Sequence, residues 1–300
     1  MITQKSTRHR LLTVSLTALF ISTAVSPAFA QQAELKEIAI TFDNLPATTS
    51  FGFSDQQAIN EDILDALRTY KVTATGFVVG DAIEGHFDLL GSWLNDGHTL
   101  GSMTLSNQDL HDVDPGRFFE DAKLGADMIE PMLEGFGQKK RYFRFPFLHY
   151  GATDKIKNQA ISFFRSRSVV VAHASIVPED YLYDFNIQKL GRRPDSSRLE
   201  RIGDEYLHHI FDVVAEAEGS AEELRGRPVR QILLLRSNRI NGYFMSDILH
   251  GLQERGYTFV TLDRALADDV YRMEEHYTDG RGIGYLDRVL ATNPQFANKR

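Results

Sequence analysis

The chain has 300 residues, a formal net charge of −8 and no cysteine. Without cysteine, neither disulfides nor a thiolate metal site can contribute. The acidic balance, with no basic tract, gives phosphate backbones and anionic lipid nothing to hold, so nucleic acid is not an expected partner.

In chain order the first feature is an address. Lys5, Arg8 and Arg10 precede an apolar run over residues 11–25, and Ala28-Phe29-Ala30 supplies small residues ahead of Gln31. This pattern predicts a signal peptide over residues 1–30, cleaved on export to the periplasm or beyond. An N-terminal anchor is the competing reading, but the run falls short of the about 20 residues a membrane span needs. No membrane insertion is therefore expected once the leader is gone. Its loss removes three cations and no acid, taking the formal charge from −8 to −11.

Strand-like runs then alternate with amphipathic helical ones, which predicts an α/β fold with mostly parallel strands. The predicted strands are Glu37–Phe42, Ala74–Val79, His98–Met103, Tyr142–Phe145, Val169–Ile176, Gln231–Arg236 and Thr258–Leu262. Several are continuously apolar, as strands covered on both faces should be. Ser54 with Gln57 reads as a capping box opening a helix with Ile59, Ile63, Leu67 and Tyr70 on one face. Pro115 suits the first turn of a helix whose stripe is Phe118, Ala122, Met128 and Met132. Ser197 with Glu200 opens another, striped by Leu199, Ile202, Tyr206, Ile210, Val213 and Ala217. Gly256 suits the position just past the end of the helix carrying Ile248 and Leu252. One barrel-like domain over residues 31–272 is expected, followed by a polar, loosely held tail over residues 273–300. The Gly280–Gly284 run in that tail reads as a mobile surface turn rather than a phosphate loop.

Polar residues gather at the C-terminal ends of the predicted strands, where the loops of an α/β barrel build active sites. Four segments carry them: residues 38–46, with Thr41-Phe42-Asp43-Asn44, residues 97–107, residues 141–151, with Arg144-Phe145-Pro146-Phe147, and residues 231–239, with Leu234-Leu235-Arg236. In this order and spacing they resemble the polysaccharide deacetylase family, the nodulation-protein-B homology group. The likeness extends through Ala74-Thr75-Gly76-Phe77-Val78 to the closing Gly256–Asp263 segment. It implies a distorted (β/α) barrel of about seven parallel strands and a metal-dependent hydrolase removing acetyl groups from glycans.

The same resemblance implies roles, residue by residue. Asp43 falls at the general base, Arg144 at the arginine orienting it, and Asp180 at the acid of the fourth motif. Tyr181, Pro146 and Phe147 fall at substrate-binding positions. At the metal-ligand positions stand Asn44, Met103 and Asn107, and Arg236 replaces the histidine that protonates the leaving group. A hydrolytic cation needs imidazole or anionic oxygen donors, whereas Met offers a soft thioether and Asn a neutral carbonyl. Arginine stays protonated and cannot cycle as acid and base. The expectation is therefore a protein without a metal cofactor and impaired as an enzyme, binding glycan or pairing with an active homologue. An active deacetylase using altered chemistry is the alternative.

Blander readings stand beside these. Met103 suits a core strand and Asn107 a turn. Asp43 could cap a helix, and Arg144 could be a structural ion-pair partner. Pairing of Arg236 with Asp43 or Asp180 could fill the vacated metal charge. His149 and His173 are the candidates for a relocated metal ligand.

Overall fold

A computed structural model describes residues 36–296; the signal-peptide expectation lies outside them. The strands are β1 (Lys36–Thr48), β2 (Thr75–Val78), β3 (Thr99–Ser102), β4 (Arg141–Phe143), β5 (Val169–Val171), β6 (Gln231–Asn238) and β7 (Tyr257–Phe259). They form one sheet in the order β5-β4-β3-β2-β1-β6, with β7 pairing the start of β1, and every pair is parallel. The sheet curls until its edges meet. Ser175 and Ile176, just beyond β5, donate to the Ile232 carbonyl at 2.9 and 3.1 Å, and Leu234 donates back to Ile176 at 3.0 Å. The predicted α/β barrel of seven parallel strands is the observed architecture, distorted because a single bridge makes the closure.

The helices are α1 (Phe53–Thr69), α2 (Phe87–Asn95), α3 (Pro115–Gly135), α4 (Asp154–Ser166), α5 (Asp180–Lys189), α6 (Ser196–Arg225), α7 (Arg239–Glu254), α8 (Leu262–Leu266) and α9 (Tyr285–Thr292). Ile38, Ala39, Ile40 and Phe42 of β1 are buried on both faces, as a central parallel strand requires. Among the described residues no helix is long and apolar enough to cross a membrane.

Several local expectations change. Ser54 does not cap α1; Gly52 does, at φ 83°, with no side-chain cap bond. Asp43 caps no helix, because it lies inside β1. Asp195 rather than Ser197 caps α6, accepting from the Arg198 amide at 3.2 Å. In α3, Met128 is exposed and the buried face runs Phe118, Ala122, Gly125, Ile129 and Leu133. Gly125 sets that phase: a Cβ there would lie 2.6 Å from the Leu105 amide nitrogen. Pro115 does open α3, with Asp114 as its cap, and Gly256 follows α7 at φ 81°.

The described part of the tail, residues 273–296, is not loosely held. Helix α9 buries Tyr285, Leu286, Val289 and Leu290 against Leu262, Ala265 and Val270. Gly282 packs so closely that a Cβ would lie 2.1 Å from the Phe147 carbonyl oxygen. Its sequence looks polar because only one face of a short helix is apolar.

Candidate functional site

The parallel register brings the candidate residues to one end of the barrel. Asp43 on β1 stands opposite Arg236 on β6. Ser102 is in register with Phe143, which sets the next residues, Met103 and Arg144, side by side. Asn44 interrupts β1 at φ 62°, where the pairing with both neighbours shifts register. Such a bulge re-aims side chains at a sheet end, and Asn tolerates the left-handed region better than most residues.

Asp43, Asn44, Met103, Asn107 and Arg236 all line a single pocket of about 60 Å³. The positional matching made from the motifs therefore corresponds to one place in space. The pocket opens beside a groove of about 480 Å³ whose walls include Phe147, His149, Glu179, Tyr181, Asp184 and Arg236. Phe147 and Tyr181 are 52% and 46% exposed, so each presents part of its ring to solvent at the mouth. Pro146 does not join them. It is buried beneath the wall, at the start of a short turn in which Phe147 and Leu148 both have positive φ, 57° and 56°. Two successive non-glycine residues in that region are costly and persist only where the surroundings hold them.

Arg144 is fully buried and spends its guanidinium on four acceptors. Nη1 donates to Thr41 Oγ1 at 2.8 Å and Asp43 Oδ1 at 3.0 Å, while Nη2 and Nε reach the carbonyls of His173 and Ala172 at 3.2 and 3.3 Å. The Phe77 ring lies 4.2 Å below it. Burial raises the Asp43 carboxyl above the usual carboxylate range, although Arg144 and Arg236 pull the other way. Arg236 pairs with Asp180, not Asp43, at 2.6 Å. Burial works against the Arg236 charge, yet Asp180 holds it above its ordinary value. The Arg236 guanidinium also sits 4.9 Å from the Tyr181 ring centre.

The histidines divide. His173 is half-buried, packed among Tyr150, Tyr271 and Tyr285, and is pushed down to about 3, chiefly by desolvation; it lines neither the pocket nor the groove. His149 borders the groove, paired through Nδ1 with Asp109 Oδ2 at 2.7 Å and stacked on His111 at 4.3 Å.

The donors around the pocket do not fit a catalytic divalent cation. They comprise one carboxylate already engaged by arginine, two neutral amides and a thioether buried in an apolar strand end, where such a cation needs imidazole or anionic oxygen at several positions. Among the described residues no group of three or more His, Asp or Glu could hold a metal ion.

Sequence reasoning missed three contributors. Asn241 donates to Asp180 Oδ2 at 2.6 Å, Thr41 supports Arg144, and Gly282 brings the C-terminal segment into the pocket wall. Only Thr41 carried a signal, being the one polar residue between Ile38 and Phe42 of an apolar run.

A parallel barrel with a polar pocket at its mouth, bordered by an aromatic groove, defines the class. The comparisons agree with it. Residues 30–162 match the polysaccharide deacetylase family model. A CE4-family pseudoenzyme from Bacillus anthracis superposes at a TM-score of 0.54 and 14% identity, over 78% of this chain and 66% of that one. A mutant of that pseudoenzyme described as having restored enzymatic activity gives 0.54 and 14%, over 78% and 68%. Peptidoglycan deacetylase PdaC from Bacillus subtilis gives 0.51 and 21%, over 77% and 90%. At these identities the likeness speaks to the fold. No curated protein matches the chain.

Proposed function

We propose that this protein is an exported, metal-free relative of the glycan deacetylases that binds polysaccharide through the groove and has lost efficient hydrolysis. The observation that carries this reading is the pocket wall itself: Asn44, Met103 and Asn107 meet around Asp43 with no imidazole among them. Without a cation, water is not acidified and the acetyl carbonyl is not polarised. Even with its carboxyl raised by burial, Asp43 meets only water that no cation has acidified. Arg236 cannot deliver and retrieve a proton. The aromatic walls at Phe147 and Tyr181 remain suited to sugar faces. Export rests on the leader sequence alone, and the same groove would serve pairing with an active homologue.

The deciding experiment is elemental analysis of the purified mature protein alongside acetate release from acetylated chitooligosaccharides and peptidoglycan. Glycan binding with neither bound metal nor acetate is the expected result; stoichiometric Zn, Co or Ni would overturn it.

A second reading, deacetylation by altered chemistry, is favoured by one observation: Asp109 fixes His149 at the groove edge, as a general base would be fixed. Acetate release abolished by His149→Gln or Asp43→Ala would establish it.

A further inference from the structure

Helix α5 carries the groove outward. Tyr181, Phe185 and Lys189 recur every four residues along it, so they share one helix face, with about 5–6 Å between successive Cβ atoms. Tyr181 belongs to the groove wall. Phe185, at 60%, is the most exposed large apolar side chain among the described residues, and the Lys189 ammonium lies 3.9 Å from the centre of its ring. The far end of α5 is tied to the groove rim. Ser50, two residues past the groove residue Thr48, donates through Oγ to Gln188 Oε1 at 2.8 Å, and Arg192 donates to the Phe51 carbonyl. Groove wall, exposed ring and cations therefore form one continuous strip.

The end of this strip is basic in an acidic protein. Residues 189–193 hold Lys189, Arg192 and Arg193 and no acid, and all three side chains belong to exposed residues. Nearby cations are matched, Arg236 by Asp180 and Arg239 by Asp55, but none of these three forms an ion pair among the described residues. The next acid along the chain, Asp195, is engaged in capping α6. Within the groove the walls carry Glu179 and Asp184, which repel an acidic group, so an anionic ligand must place its charge at the far end of α5.

We propose that α5 extends the groove into a site for a carboxylate-bearing polysaccharide, with sugar faces on Tyr181 and Phe185 and the acid of a uronate unit against Lys189, Arg192 and Arg193. A guanidinium fork matches a carboxylate, and clustered cations raise the local concentration of an anionic chain. Continuity with the groove favours a polysaccharide over a polyol phosphate or a lipid surface, since only a chain of rings follows both the groove and the strip. The proposal rests on the glycan-binding reading above and specifies its ligand.

Calorimetric titration of the mature protein tests it with short and long β-linked oligomers of glucose and of glucuronate, and with poly(glycerol phosphate) and phosphatidylglycerol vesicles as further anionic probes. The long glucuronate oligomer should bind about tenfold tighter than glucose of equal length, the scale of a few exposed ion pairs acting together, and the advantage should shrink with added salt. Lys189→Glu combined with Arg193→Glu should reverse the preference; Arg192 is left in place because it holds the Phe51 carbonyl. Phe185→Ala should weaken the long oligomers of both kinds by about tenfold and leave the short ones, which the groove alone accommodates, unchanged.

Equal binding of glucuronate and glucose would overturn the acidic ligand while leaving glycan binding intact. A glucuronate preference that survives the double reversal, or long oligomers indifferent to Phe185→Ala, would overturn the α5 site. Vesicles or poly(glycerol phosphate) binding as tightly as glucuronate would show attraction to charge alone and overturn it too. Failure of every saccharide to bind would remove the glycan-binding reading as well.

Discussion

Arg236 holds Asp180 twice, its backbone N–H donating to Oδ2 and its Nη1 to Oδ1, each at 2.6 Å. Asn241 Nδ2 adds a third bond at 2.6 Å. Asp180 is wholly buried, so Asp180→Ala strands three donors. Breaking a buried pair costs about 3–5 kcal/mol, and the lower end is expected because the Arg236 side chain keeps 22% of its exposure. Urea unfolding measures the loss. A change under about 1 kcal/mol, the level of an exposed pair, would show that Asp180 is not the anchor of this end of the barrel.

Restoring the ligands should restore the metal. In Asn44→Asp, Met103→His, Asn107→His, two of the substitutions fall at left-handed positions, φ 62° and 56°, which Asp and His tolerate better than most residues. The triple variant is expected to retain zinc through dialysis where the parent does not. Acetate release should need Arg236→His as well, since a permanent cation cannot cycle a proton. A variant that folds by circular dichroism yet carries no zinc would mean that these side chains do not converge as the pocket geometry implies.

Acid should destabilise the protein in a defined window. His173 is pushed down to about 3 and His98 to about 4, both by burial, while an unfolded histidine titrates near 6.5. As pH falls below about 6.5 the unfolded chain takes up protons that the native one refuses, so stability rises with pH across the window. It is complete above about 6.5 and is lost towards the folded values. Asp43 acts in the opposite sense: its raised carboxyl keeps a proton in the native state longer, and that contribution fades as pH rises. Urea midpoints between neutral and mildly acid pH should therefore fall, and fall less steeply in His173→Gln. An unchanged slope in that variant would contradict the burial argument.

The barrel was legible because short strand-like runs, several of them continuously apolar, alternate with helical periodicities, a pattern that needs no long-range knowledge. The site was legible as a set of positions, since Met103 and Arg144 sit just past β3 and β4, and Asp43 and Arg236 face each other where the apolar runs of β1 and β6 give way to polar residues. What could not be read depends on contacts between distant segments. The closure through Ser175 and Ile176 onto Ile232 is backbone hydrogen bonding without a side-chain signature. The choice of Asp180 over Asp43 as partner for Arg236 follows from where α5 docks. The phase of α3 is set by the approach of Gly125 to Leu105, which overrides the stripe read through Met128. Pro146 falls below the groove because the following two residues turn the chain with positive φ.

Gly282 offers a test of the C-terminal segment as part of the site. A Cβ at this position would lie 2.1 Å from the carbonyl oxygen of Phe147, a backbone atom that cannot simply rotate away. Gly282→Ala must therefore push the segment off the pocket wall or shift the strained Phe147–Leu148 turn. Overpacking of this kind costs about 1–3 kcal/mol, but the more telling readout is functional. Gly282 lines both the pocket and the groove, so the substitution should weaken binding of any oligosaccharide that occupies them. Gly219, in α6 with no neighbour near its missing Cβ, provides the control: Gly219→Ala should leave binding unchanged and add helix propensity. Equal effects of the two substitutions on saccharide binding would detach the C-terminal segment from the site.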